Sequence, residues 1–155
     1  MLRISKMTDY ATVILARLAA APEQQFTAAQ LVEQTRLGQP TVSKVLKVLH
    51  RRGLLHSTRG LRGGYRLARP AAEINAAQIL DALEGPVALI ECARHVHYCS
   101  IESTCGVGRS WQRVSLAIRR ALQEITLVEL AGLGGETVRF AALERQLRGS
   151  RPERA

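Results

Sequence analysis

The sequence predicts a mainly α fold carrying one small β wing and ending in a long helix. Three observations lead there. Apolar residues recur at helical spacing through the front of the chain, bordered by cap-forming residues. A basic, glycine-rich turn joins two short extended runs directly afterwards. Later, apolar residues repeat every seven positions.

Taken in order, Thr8 reads as the N-cap of a first helix reaching Ala20, with Tyr10, Val13, Ile14 and Leu18 on one face. Thr27 and Gln30 form a capping-box pattern opening a second helix that runs to Gln34. Gly38 breaks the chain, and Pro40 suits the first turn of a third helix, where its missing N–H needs no partner. Val42, Val45, Leu46 and Leu49 make the core stripe of that helix, and Gly53 ends it as a left-handed cap. Residues 54–58 and 65–69 then read as two strands around the turn Arg59-Gly60-Leu61-Arg62-Gly63-Gly64. Helix, turn, helix and basic hairpin in this order make a winged helix-turn-helix domain. Asn75 and Gln78 cap a fourth helix bearing Ile79, Leu80 and Leu83, stopped by Gly85-Pro86.

From Ser110 to Leu130 one long helix is expected. Trp111, Ile118 and Ile125, with Val114, Ala121 and Val128, form its a/d seam, which suits a dimerisation helix joining two copies of the chain. The expected divisions are a winged helix-turn-helix domain at residues 1–86, a cysteine-bearing loop at 87–108, a dimerisation helix at 109–131 and a partly disordered tail at 132–155.

Charge narrows the function. The 155-residue chain holds 22 Lys+Arg against 13 Asp+Glu, a net charge of +9. No acidic residue lies between Glu33 and Glu73, a stretch interleaved with core leucines and valines. A folded surface of one sign repels itself and attracts an anionic partner, here double-stranded DNA. The third helix would enter the major groove with Gln39, Thr41, Val42, Ser43 and Lys44 near base edges. Lys47, Arg51 and Arg52 would hold the backbone, and Arg59 and Arg62 would bring the wing to the minor groove. The alternative is a small α+β domain whose charges only face solvent. An enzyme is not expected: no nucleophile motif or paired carboxylates occur, and the Gly60–Gly64 turn is too short for a dinucleotide site.

Residues 1–21 imitate a signal peptide, but Asp9 and Arg17 interrupt the apolar run, and no run approaches the ~20 residues of a membrane span. A cytoplasmic protein is the expectation. Cys92, Cys99 and Cys105, spaced C-x6-C-x5-C beside Glu91, His95, His97 and Glu102, are odd in number and argue against a disulfide framework. Spacing alone leaves four readings open: an iron–sulfur cluster, zinc, a thiol switch, or three unrelated reduced cysteines.

The segments TDYATVILARLA, GQPTVSKVLKVLHRRGLL and STRGLRGGYRLAR, followed by the three-cysteine loop, resemble the iron–sulfur winged-helix transcription regulators typified by IscR and NsrR. The stretch CSIESTCGVGRSWQRVSLAIRRAL is similar to the branch that regulates SUF iron–sulfur assembly operons. The resemblance covers residues 1–130. It implies a homodimeric DNA-binding regulator, a repressor, in which Cys92, Cys99 and Cys105 hold a [2Fe-2S] or [4Fe-4S] cluster that sets operator affinity. It also implies control of cluster-assembly genes; a cluster-free thiol-redox or nitric-oxide-responsive regulator of the same fold is the alternative. The IscR-like pattern has a histidine where this chain has Gly108, so the fourth ligand departs from it. The NsrR-like pattern places an acidic residue in the first helix, a position held here by Asp9, with His95 and His97 also in contention.

Overall fold

The computed structural model describes residues 4–60, 63–86 and 107–134. Their elements, in order, are α1 (Lys6–Ala19), α2 (Ala28–Thr35), α3 (Gln39–Arg51), β1 (Leu55–Thr58), β2 (Gly64–Leu67), a 3-10 turn (Ala71–Glu73), α4 (Ala76–Leu83), α5 (Gly108–Glu124) and α6 (Leu127–Leu130). The fold is therefore mainly α with a two-stranded antiparallel wing, as the sequence predicts.

Helix α1 starts earlier than expected. Ser5, not Thr8, is its N-cap, and the Thr8 N–H donates to Ser5 Oγ at 3.3 Å. Both residues can cap, but Thr8 lies buried against Glu84, whose Oε1 accepts from Thr8 Oγ1 and from the Ser5 N–H. A partner 76 residues away decides the boundary.

The capping box of α2 forms as predicted, Thr27 and Gln30 each satisfying the other's backbone N–H. The helix ends on Arg36, which takes the left-handed conformation (φ 57°). Gly38 is not left-handed; it is the extended N-cap of α3, with Pro40 in the first turn. Val42, Val45, Leu46 and Leu49 are all buried, so the apolar stripe faces the core as its spacing requires. Gly53 (φ 71°) closes α3 as a Schellman cap: its N–H donates to the His50 carbonyl at 3.0 Å and that of Leu54 to the Leu49 carbonyl at 2.9 Å.

In the wing, Leu55 pairs with Leu67 and Thr58 with Gly64. Phe26 adds a one-residue third strand, exchanging two backbone hydrogen bonds with Tyr65 at 2.8 and 3.0 Å. Gly64 is required there, since a Cβ would lie 2.9 Å from the Phe26 carbonyl oxygen. Phe26 itself is completely buried and ties the wing to the helices. A lone aromatic between two helices carries no period, so nothing in the sequence marked it as a strand.

The capping box of α4 at Asn75 and Gln78 is as predicted. The single helix expected from Ser110 to Leu130 is instead two. Ile125 is extended (φ −90°, ψ 113°), and Thr126 recaps the chain for α6 with a second capping box through Glu129. The break has a clear cause. The Ala76 N–H donates to the Ile125 carbonyl at 2.8 Å, the Leu127 N–H donates to the Ile74 carbonyl at 2.7 Å, and Leu127 enters the core fully buried. An unbroken helix would forfeit all three. Of the heptad seam, Ile125 is thus buried in the chain's own core, whereas Trp111 and Val114 on α5 are 43% and 42% exposed. Arg119 clamps α5 to α4 by a two-pronged pairing with Asp81, one prong at 2.8 Å.

Candidate nucleic-acid interface

The core stripe of α3 fixes which residues it offers outward. Gln39, Lys44, Lys47, Arg51 and Arg52 are exposed, and Ser43 and Thr41 half-buried. Gln39 Nε2 donates to Ser43 Oγ at 3.4 Å, one turn along the helix. Val42 departs from expectation. It is completely buried with Val45 and Leu46 and offers nothing to a groove. As the i member of the i, i+3, i+4 core stripe it has to point inward.

Arg59 is exposed at the end of β1, where the wing turns. Arg62 lies outside the described residues. Lys44, Lys47, Arg51, Arg52 and Arg59 have no ion-pair partner among the described residues, while Arg119 and Asp81 pair on α5 and α4. Helix α3 and the wing thus present unneutralised cations on neighbouring elements, a surface that attracts a polyanion.

Sequence reasoning missed a cleft between these elements. It has a volume of about 600 Å³, and Thr27, His50, Ser57, Thr58, Arg59 and Tyr65 are among the residues lining it. The signal in the sequence was indirect: His50 is eleven residues after Gln39 and seven after Ser43, hence on the same side of α3.

Asp9 sits in the first turn of α1, exposed, and its carboxylate makes no hydrogen bond or ion pair with a described residue. Cys92, Cys99, Cys105, His95 and His97 lie outside the described residues. Among the described residues no three histidine, cysteine, aspartate or glutamate side chains gather. No described helix is long and apolar enough to cross a membrane.

Known proteins agree with this architecture. The chain is 27% identical over 146 residues to the HTH-type transcriptional regulator NsrR of Oceanobacillus iheyensis, covering 93% of this chain and 99% of that one. Among solved structures, CymR (YrzC), the global cysteine regulator of B. subtilis, superposes with a TM-score of 0.66 at 27% identity, covering 86% of this chain and 98% of that one. The oxidized form of Staphylococcus aureus CymR superposes with a TM-score of 0.60 at 30% identity, over 84% of this chain and 96% of that one. The family described as Rrf2, iron-dependent transcriptional regulator, matches residues 4–132, and the chain belongs to that family of transcription regulators.

Proposed function

We propose that this regulator binds operator DNA as a homodimer through α3 and the wing, with an affinity set by an iron–sulfur cluster. The observation that carries the DNA reading is the unneutralised cationic face of α3 and the wing, Lys44, Lys47, Arg51, Arg52 and Arg59. Gln39, Ser43 and Lys44 read base edges; Thr41, Lys47, Arg51 and Arg52 hold phosphates; Arg59 and Arg62 approach the minor groove. The dimer would form along α5, whose Trp111, Val114 and Leu116 are exposed on a helix already anchored to α4 by Arg119. The reader is assigned to residues 1–86 and the dimer contact to α5 within 109–131.

For the cluster, the donor set is suitable. Three thiolates in one segment match the soft ligands iron–sulfur centres require, and Asp9 supplies an exposed carboxylate without a described partner. Bound, the cluster would supply redox and small-molecule sensitivity. Cys92, Cys99 and Cys105 would hold it with Asp9 as fourth ligand, and the reading domain would shift between binding-competent and incompetent dimers. The genes regulated are, in this reading, those of iron–sulfur cluster assembly, and the action is repression.

The likeness to oxidized CymR favours a second reading, in which the same cysteines act as a cluster-free thiol switch. One experiment separates the two. Anaerobic purification and reconstitution should give a brown protein with iron and acid-labile sulfide in stoichiometric amounts, and Cys99→Ala should abolish the visible absorbance. A colourless protein whose DNA affinity still changes with oxidant would replace the cluster by the thiol switch.

A further inference from the structure

We propose that the cleft between the wing and helices α2 and α3 is a phosphodiester site, and that His50 is a DNA-backbone contact which takes up a proton when duplex binds. The proposal rests on the DNA reading above and extends it to His50 and the hydroxyl-bearing residues of the cleft.

The cleft opens between the first turn of α2, the end of α3 and both strands of the wing. Among the described residues its lining contains no carboxylate. It contains Arg59, His50 and the hydroxyl-bearing Ser57, Thr58 and Tyr65, together with Thr27, whose hydroxyl already donates to Gln30 Oε1 at 3.2 Å. Donors and cations without acceptor charge define an anionic-oxygen ligand. At the first turn of α2, the Ala28 and Ala29 N–H groups have no intrahelical acceptor and add partial positive charge.

Position selects DNA as the source of that oxygen. His50 shares a side of α3 with Gln39 and Ser43, and Arg59 follows β1 where the wing turns. A helix in the major groove and a wing at the adjoining minor groove are separated by one sugar–phosphate strand. The cleft lies between those two elements, where that strand has to pass.

The ring of His50 is held for this task. Its Nδ1 is 3.0 Å from the Leu55 carbonyl oxygen, and because a carbonyl only accepts, Nδ1 carries the hydrogen. The neutral ring then has a bare Nε2, which repels a phosphate oxygen; the protonated ring donates from Nε2 while keeping its bond to Leu55. The proton comes from solvent, so binding duplex and binding a proton are linked. The titratable and charged groups that share the cleft with the ring are Arg59 and Tyr65 of the wing; from the start of α2 come Thr27 and Ala28, neither of which titrates.

Fluorescence anisotropy with an operator duplex tests this, using the full chain and its His50→Gln and Thr58→Val variants, both at exposed positions. Affinity of the unsubstituted protein should rise between about pH 8 and about pH 6, the range in which histidine changes charge. His50→Gln should lose most of that rise, and at the acid end its log Kd against log salt slope should be shallower by roughly 0.9, one phosphate contact. Thr58→Val should bind several-fold more weakly at both pH values. Variants with unsubstituted affinity, pH response and salt slope would overturn the proposal while leaving DNA binding intact. An unsubstituted protein that binds no duplex would instead defeat the reading on which it rests. Inorganic phosphate supplies the last arm: if it raises the melting temperature at millimolar levels while both variants bind duplex normally, the cleft serves a free anion and not the DNA backbone.

Discussion

Glu84 is the last residue before the Gly85-Pro86 stop, and its carboxylate caps a helix at the other end of the domain's sequence. The Ser5 hydroxyl first, then the Thr8 hydroxyl, hold its pKa below the usual carboxylate range against a smaller opposing effect of burial, with the Ser5 N–H adding the least. Because the folded value is the lower one, this contribution is complete above the unfolded value of about 4.3 and fades as pH falls through the folded one. Glu129, lowered by its bonds to Thr126, behaves in the same sense. Glu84→Gln should therefore cost about 0.5–1 kcal/mol at neutral pH, a small figure because the group is solvent-screened. Relative to it, the unsubstituted protein should lose its advantage below about pH 4, as read by thermal melts across pH. Arg36 gives the opposite prediction. A non-glycine residue at φ 57° carries steric cost, so Arg36→Gly should raise stability by up to about 1 kcal/mol in urea denaturation. At this scale, what local chemistry encodes was readable: the Thr27, Asn75 and Gly53 caps are where the sequence put them. Ser5 was passed over for Thr8 because the deciding partner, Glu84, is distant in the chain. The inward turn of Val42 was implicit in the same stripe that named Val45, Leu46 and Leu49.

Elements show a similar division. Each helix of the reading domain was legible because its apolar stripe and caps agree, and the wing because its glycines separate two short extended runs. The helix running to Leu130 was misread for a physical reason. A heptad spacing and a Thr126-x-x-Glu129 capping box compete across Ile125, and the backbone bonds to Ile74 and Ala76 decide for the break. Thr126→Ala removes the α6 cap and should destabilise the protein by about 1 kcal/mol in chemical denaturation. If instead the two helices fuse in that variant, helical content measured by circular dichroism should rise, and the account of the break would be wrong. The Phe26 bridge to Tyr65 and the cleft beside the wing belong to tertiary pairing, which no local pattern announces.

For the whole molecule, the acid-free stretch between Glu33 and Glu73 folds into one region that includes α3 and the wing, while the paired charges of Arg119 and Asp81 stay on the other side of the sequence, in α5 and α4. In the proposed reading, that separation divides labour between a DNA-facing part and a part that would join copies and hold the cluster. Family membership fixes the first role as transcription regulation. The proposed cluster couples the second to the first, and such couplings amount to about 1–3 kcal/mol, or roughly 5- to 150-fold in affinity. The direct measurement is an anaerobic anisotropy titration of operator duplex with reconstituted and cluster-free protein at one salt concentration. The account predicts dissociation constants differing by at least about fivefold. Equal constants for the two forms, with iron and sulfide confirmed in the first, would contradict it.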